Sequence, residues 1–203
     1  MSKVDFKYND GSKIFMTSDT HFSHNAIIGF CNRPFKDVEE MNYKLIENWN
    51  KKVPADGLVF HLGDFDWGGA EKWKSIRDQL NGNIILIKGN HDEKCLSSNV
   101  QSLFEHVAYQ MKIEIEGRKI YLNHYPFLCY AGTYRDPKGL VMQCYGHVHS
   151  GPGAKGLDIE RLKVLFPTQY DVGVDNNNYE PISWNELNDK IGKQLLKTKF
   201  KKE

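Results

Sequence analysis

The chain lacks any apolar stretch near the roughly 20 residues a membrane-crossing helix needs; its longest aliphatic run is Ile84-Ile85-Leu86-Ile87. The first ten residues, MSKVDFKYND, carry charge throughout and have none of the apolar core of a secretory signal. Cysteine is sparse: Cys31, Cys95, Cys129 and Cys144 stand far apart with no C-x-x-C pair. That spacing argues against a disulfide framework and against a cysteine-built structural zinc site. No charge sign dominates, since 27 Lys and Arg against 26 Asp and Glu leave a formal net charge of +1. Bulk charge therefore points to neither a nucleic-acid nor a membrane partner. No G-x-S-x-G elbow is present, which removes the usual signature of a serine hydrolase. These absences together predict a cytoplasmic protein.

What is present is an ordinary globular mixture of 203 residues, 40% hydrophobic and 26% charged. That length suits one substantial core better than two. Ile14-Phe15-Met16 and Leu58 to Leu62 are short apolar runs that read as buried strands, and so is Ile84 to Ile87. Between them, Asp37 to Asn50 has apolar residues at Val38, Met41, Leu45, Ile46 and Trp49, and Ala70 to Leu80 has Trp73, Ile76 and Leu80. Both spacings are helical. Further on, Tyr109 to Ile115 and Arg118 to Asn123 read as a hairpin turned at Glu116-Gly117, and Met142 to Tyr145 as another strand. The segment Asp171 to Asn178 reads as a strand running into a polar turn. Trp184, Leu187, Ile191 and Leu195 predict a C-terminal helix with Ser183 as its N-cap. With no repeat or low-complexity linker, the expectation is one α/β domain over 1–203, with its core at about 12–182 and a C-terminal helix and basic tail at 183–203. The lysine-rich end, Lys197 to Glu203, is expected to be a solvated helix end; a nucleic-acid contact is the less favoured alternative.

The chemistry-bearing residues sit in short clusters: Asp19-Thr20-His21, Gly63-Asp64, Gly89-Asn90-His91-Asp92, His124 and Gly146-His147-Val148-His149. Most of them directly follow an apolar run. Side chains at strand ends gather along one edge of an α/β fold, so these remote residues are expected to meet. Residues two apart in an extended segment face the same way, which lets Asp19 and His21 share a metal, and His147 and His149 likewise. A carboxylate such as Asp64 can bridge two ions, and Asn90 offers a neutral oxygen. Mixed carboxylate, amide and imidazole donors suit Mn, Fe, Zn or Ni better than Ca or Mg.

The series D-x-H, G-D, G-N-H-D, H and G-H-x-H, from Asp19 to His149, resembles the calcineurin-like metallophosphoesterase superfamily. The resemblance implies a four-layer α/β/β/α sandwich, two mixed β-sheets flanked by helices. It implies one divalent metal on Asp19, His21, Asp64 and His149, and a second on Asp64, Asn90, His124 and His147, with manganese the leading choice. It also implies that His91 stays unligated beside the scissile phosphate. The serine/threonine protein phosphatases of the superfamily look like G-D-x-x-D-R-G followed by G-N-H-E. Here the stretches read Gly63-Asp64-Phe65-Asp66-Trp67-Gly68-Gly69 and Gly-Asn-His-Asp, without the arginine. The chain is more similar to the small bacterial or phage phosphoesterases, and a degenerate scaffold that only binds partners is the competing reading.

Two cations about 3.5–4 Å apart neutralise phosphate oxygens and acidify a shared water, so a bridging hydroxide is the expected nucleophile. His91 is placed to protonate the leaving oxygen, with Asp66 or Asp92 orienting its ring. The expected substrate is a small phosphate ester, possible nucleotides included, with a phosphodiester favoured over a monoester because it carries less charge. His24 is either a substrate contact or a locally bonded loop residue, and Arg33 either a bidentate phosphate ligand or a surface ion pair. Arg135 invites the same phosphate reading, while Phe127, Tyr130 and Tyr134 are either base-stacking or core aromatics.

Overall fold

The computed structural model describes residues 4–133, 139–152, 154 and 157–199; Tyr134, Arg135 and the tail from residue 200 lie outside that set. Its strands are β1 (Phe6–Tyr8), β2 (Ile14–Thr17), β3 (Leu58–His61), β4 (Asn83–Ile87), β5 (His106–Ala108), β6 (Gln110–Ile115), β7 (Arg118–Asn123), β8 (Val141–Tyr145), β9 (Gln169–Asp171) and β10 (Ile182–Ser183). The helices are α1 (Asn25–Phe30), α2 (Val38–Lys52), α3 (Ala70–Arg77), α4 (Ser98–Gln101), α5 (Leu157–Arg161) and α6 (Trp184–Lys199).

The strands form two mixed five-stranded sheets, ordered β10-β2-β3-β4-β5 and β1-β6-β7-β8-β9, with helices flanking them. In the first sheet β2 to β5 run parallel and β10 closes the β2 edge antiparallel. In the second only the β6–β7 hairpin is antiparallel. Period-two alternation decides which residues go where. Ile14 and Met16, Phe60 and Leu62, and Ile85 and Ile87 face the second sheet, meeting Met111, Ile113, Ile120, Leu122, Met142 and Cys144. The intervening Phe15, Val59, Ile84 and Leu86 face the helices, meeting Met41, Leu45 and Trp49 of α2 and Trp73 and Ile76 of α3. Apolar residues on both faces explain why β2 to β4 read as unbroken hydrophobic runs.

Local signals fix the ends of several elements. Asp37 caps α2 by accepting from the Glu40 amide at 2.8 Å. Ser183 and Glu186 form a reciprocal capping box at the start of α6. Helix α6 packs Trp184, Leu187 and Ile191 into the core between the sheets, and it touches β2, β9 and β10. The hairpin turn puts both Glu116 (φ 49°) and Gly117 (φ 79°) in the left-handed region, as a tight primed turn demands. Glu116 is held there because its carboxylate accepts from the Gly11 amide and the Trp184 indole, each at 2.9 Å. Helix α3 ends at Arg77, earlier than the apolar spacing through Leu80 predicts, because the Arg77 guanidinium satisfies the carbonyls of Leu80 and Gly82 in the following turn. No helix among the described residues is long and apolar enough to cross a membrane.

Candidate metal centre

Parallel β2, β3 and β4 deliver Asp19, Asp64 and Asn90 to one edge of the first sheet. Parallel β7 and β8 deliver His124 and His147 to the matching edge of the second. A bridge between Ser18 and Gly173 stitches the two sheets together there. The loops are interlocked by backbone bonds: Asp19 N–H to Gly63 C=O at 2.9 Å, His21 N–H to Asp64 C=O at 3.0 Å, and Gly146 N–H to His124 C=O at 2.9 Å. Glycine is required where they touch. A Cβ on Gly63 would lie 2.4 Å from the Gly89 amide, and one on Gly146 would lie 2.0 Å from Ser18 Oγ and 2.3 Å from Asp19 Oδ2.

Two groups of donors converge at this edge, Asp19 with His21 and His149, and Asp64 with His124 and His147. Asp64 also touches the first group, its Oδ2 lying 3.5 Å from both His21 Nε2 and His124 Nε2. Asn90 Oδ1 is 3.0 Å from His124 Nε2. The sequence expectation that His147 and His149 face one ion together is corrected, since they point into different groups. The geometric reason differs as well. Asp19, His21, Asp64, His147 and His149 have φ between 45° and 71°, so left-handed backbone rather than an extended run aims their side chains.

These residues fit divalent cations on three observations. First, His21 Nε2 is buried with no hydrogen-bond partner, which is costly for an imidazole unless something else takes its lone pair. Second, the 3.5 Å contacts and the 3.9 Å from His149 Nε2 to Asp19 Oδ1 are too long for hydrogen bonds. They match two donors on one ion, which at bond lengths of about 2.1 Å stand roughly 3.4 Å apart. Third, the opposite ring nitrogens of two histidines are already committed. His124 Nδ1 donates to Leu62 C=O at 2.7 Å and His149 Nδ1 to Asp175 Oδ2 at 2.7 Å, which turns both Nε2 atoms inward.

Electrostatics follow from this crowding. Burial alone would raise the Asp64 carboxyl, but the His124 and His21 charges beside it hold it well below the usual range. Burial would lower His149, yet its hydrogen bonds to Asp175 and Cys31 and the Asp19 charge push it up to about 11. Burial would likewise lower His124, and Asp64 and Asp19 instead push it up to about 9. Burial dominates at His21 and keeps it well below an ordinary imidazole.

His91 stands at the mouth, partly exposed, with its Nε2 4.0 Å from Asp64 Oδ2 and its backbone N–H on Asp64 Oδ1 at 3.0 Å. The expectation that Asp66 or Asp92 orients its ring is corrected. Asp92 is buried and accepts from the amides of Asp64 (2.9 Å), Phe65 (2.9 Å) and Gly89 (2.7 Å), so it organises the loops. Asp66 accepts from Gly68 N–H and Ser23 Oγ. What flanks the His91 ring is Trp67, with centroids 4.7 Å apart. His24 stacks on that same indole at 4.1 Å and reaches His21 Nδ1 at 3.2 Å.

Arg33 is also corrected on both of its readings, because it is neither at the surface nor turned to the cleft. Its guanidinium grips both oxygens of Asp175 at 2.8 Å and bonds the carbonyls of Asp19 (2.7 Å) and Thr20 (2.9 Å). The guanidinium thereby ties Asp175 to the loop that carries Asp19 and His21. Tyr130 is buried with its hydroxyl 2.7 Å from Thr168 Oγ1, and the Phe127 amide donates to Gln143 Oε1 at 2.9 Å. Asp175, the residue that ties Arg33 to His149, was missed in the sequence, as were Trp67 and Tyr125. The signal for Asp175 was available, since it follows the buried Val172 and Val174 as Asp19 and Asp64 follow their strands. Cys31 also approaches His149 and Asp175, so a cysteine does lie beside the centre.

The family model for the calcineurin-like phosphoesterase superfamily domain matches residues 13–164. An uncharacterized protein of Methanocaldococcus jannaschii is 35% identical over 175 residues, covering 84% of this chain and 86% of its own. The gene 66 protein of Mycobacterium phage D29 is 26% identical, covering 87% of this chain and 91% of its own. Among solved structures, a protein of unknown function from Aquifex aeolicus superposes with a TM-score of 0.64 at 27% identity, over 87% of this chain and 97% of that one.

Proposed function

Because the chain belongs to the calcineurin-like phosphoesterase superfamily, we propose that it hydrolyses phosphate esters with two divalent ions, and phosphodiesters in preference to monoesters. Asp19, His21, Asp64 and His149 would hold one ion; Asp64, Asn90, His124 and His147 would hold the other. The mixed donor set suits manganese, with iron, zinc and nickel as alternatives. Bound there, the pair supplies neutralisation of the phosphate oxygens and a water acidic enough to react near neutral pH. The observation that carries the reading is the buried, partnerless His21 Nε2 facing Asp64 Oδ2, which His124 Nε2 meets at the same 3.5 Å.

The protein's own groups do the rest. Asp92 and the close approach of Gly63 to Gly89 fix the loop carrying Asp64. His91 Nε2, at the open mouth, gives its proton to the departing oxygen as the bond from phosphorus to that oxygen breaks and the bond to the water oxygen forms. One proton of that water is released, so the sum is diester plus water giving monoester plus alcohol. The diester preference rests on cation supply. Arg33 is consumed by Asp175 and two carbonyls and adds nothing to the charge the ions supply, and a diester carries less phosphate charge to meet.

Titrating chelator-treated protein with manganese while following an aryl phosphodiester tests the reading. Two ions per chain and activity abolished by chelator are expected. Absence of stoichiometric binding, or a loaded protein that cleaves neither aryl diester nor aryl monoester, overturns it. Faster turnover of the monoester overturns the diester preference alone.

A further inference from the structure

Beside His147 lies a cavity of about 370 Å³ whose wall differs in kind from the donor groups it adjoins. Tyr125, Pro126, Leu128, Val164 and Leu165 line it, with Arg161 as a charged member. Leu128 is 74% exposed and Val164 66%, so part of this apolar wall faces water. Tyr125 joins the cavity to the site. Its ring packs edge-on against those of His147 at 4.6 Å and His124 at 5.0 Å, and its hydroxyl lies 3.4 Å from Asn90 Oδ1. His147 itself lines the cavity, so a group bonded to a phosphate at the centre enters it directly.

We propose that this cavity is the subsite for one organic substituent of the phosphodiester, an aromatic or aliphatic group, and that the substituent is the one retained on phosphorus. The inference rests on the phosphodiester reading above and adds to it the substrate's chemical class. Two observations carry it. Apolar lining exposed to water gains by covering an apolar group, and small-molecule sites combine such walls with a few polar groups that fix orientation. The second is the separation of His91 from the cavity. The His91 ring packs on Trp67 and His21, whereas the cavity adjoins His124 and His147 through Tyr125. The substituent that receives a proton from His91 and the one beside Tyr125 are thus different arms of the diester. A monoester has only the departing arm and leaves the cavity empty.

The test holds the leaving group constant as 4-nitrophenolate and varies the retained group among phenyl, methyl and carboxymethyl, using manganese-loaded protein. The phenyl diester is expected to exceed the methyl one in kcat/KM by roughly tenfold, chiefly through KM, with carboxymethyl the poorest. Leu128→Ser and Val164→Ser, both at exposed positions, are expected to shrink the ratio of phenyl to methyl kcat/KM severalfold while the metal stoichiometry stays unchanged. Calorimetric binding of phenylphosphonate, which needs no turnover, should weaken in the same two variants. Equal kcat/KM across the three substrates, a carboxymethyl preference drawn by Arg161, or variants that slow all three alike would overturn the inference while the hydrolase reading stands. No hydrolysis of any diester by the loaded wild-type protein overturns both.

Discussion

The two donor groups at the sheet edge are held in different ways. Around His149 the scaffold is over-determined: Arg33 is buried, grips Asp175 with two hydrogen bonds, and Asp175 fixes His149 Nδ1 at 2.7 Å. Around Asn90 and His147 the side chains are more open, and their neighbours are the half-exposed Tyr125 and the apolar cavity. Both groups share Asp64. The difference teaches where the fold has positioned donors before any ion arrives and where an ion has to finish the work. A protein built this way should bind its first ion tightly and exchange its second readily.

The largest effect should come from removing the shared member. Asp64→Asn is expected to abolish binding of the second ion and to reduce hydrolysis to the chelated background, erasing the distinction between the two groups; metal analysis and turnover read this together. Normal double occupancy in that variant would sink the bridging assignment. His91→Gln should lower turnover of a diester with a poor leaving group by about 10²–10⁴-fold while both ions stay bound, because proton delivery rather than ion binding is lost. Unchanged turnover removes His91 from the chemistry.

Asp175→Asn sharpens the comparison from the rigid side. It should weaken the first ion by about 10–100-fold and leave the second nearly untouched, as measured by competition with a chelator. The smallest effect is one of pH. In the ion-free protein His149 is raised to about 11 and His124 to about 9, so each holds a proton at neutral pH that an ion must displace. A raised pKa means that affinity climbs as pH rises. The second ion's affinity should level off above about pH 9 while the first continues upward, a contrast visible as proton release in weakly buffered titrations.

Much of this architecture was legible in the sequence, for identifiable reasons. β2, β3 and β4 are buried on both faces and so appear as apolar runs, and α2 carries a full helical period. Strands β1, β5, β9 and β10 have three residues or fewer, too few to show a period, and β1 owes its place to pairing with Phe6 opposite Ile113. The donor residues were visible because each cluster sits where such a run stops. Their supports were not. Arg33 and Asp175 are 142 residues apart, and nothing local in either segment announces a partner at that distance. A buried salt bridge is defined by its surroundings, which the fold alone supplies.

The left-handed backbone beneath Asp19, His21, Asp64, His147 and His149 also limits how this centre can be redesigned. Aspartate and histidine tolerate that conformation, whereas β-branched replacements there would carry strain of about 1–3 kcal/mol before any donor chemistry is considered. Asn90 and His124 lie outside that region. Anyone wishing to retune the protein toward softer metals should exchange donor atoms at those two positions first, where the chain itself raises no objection.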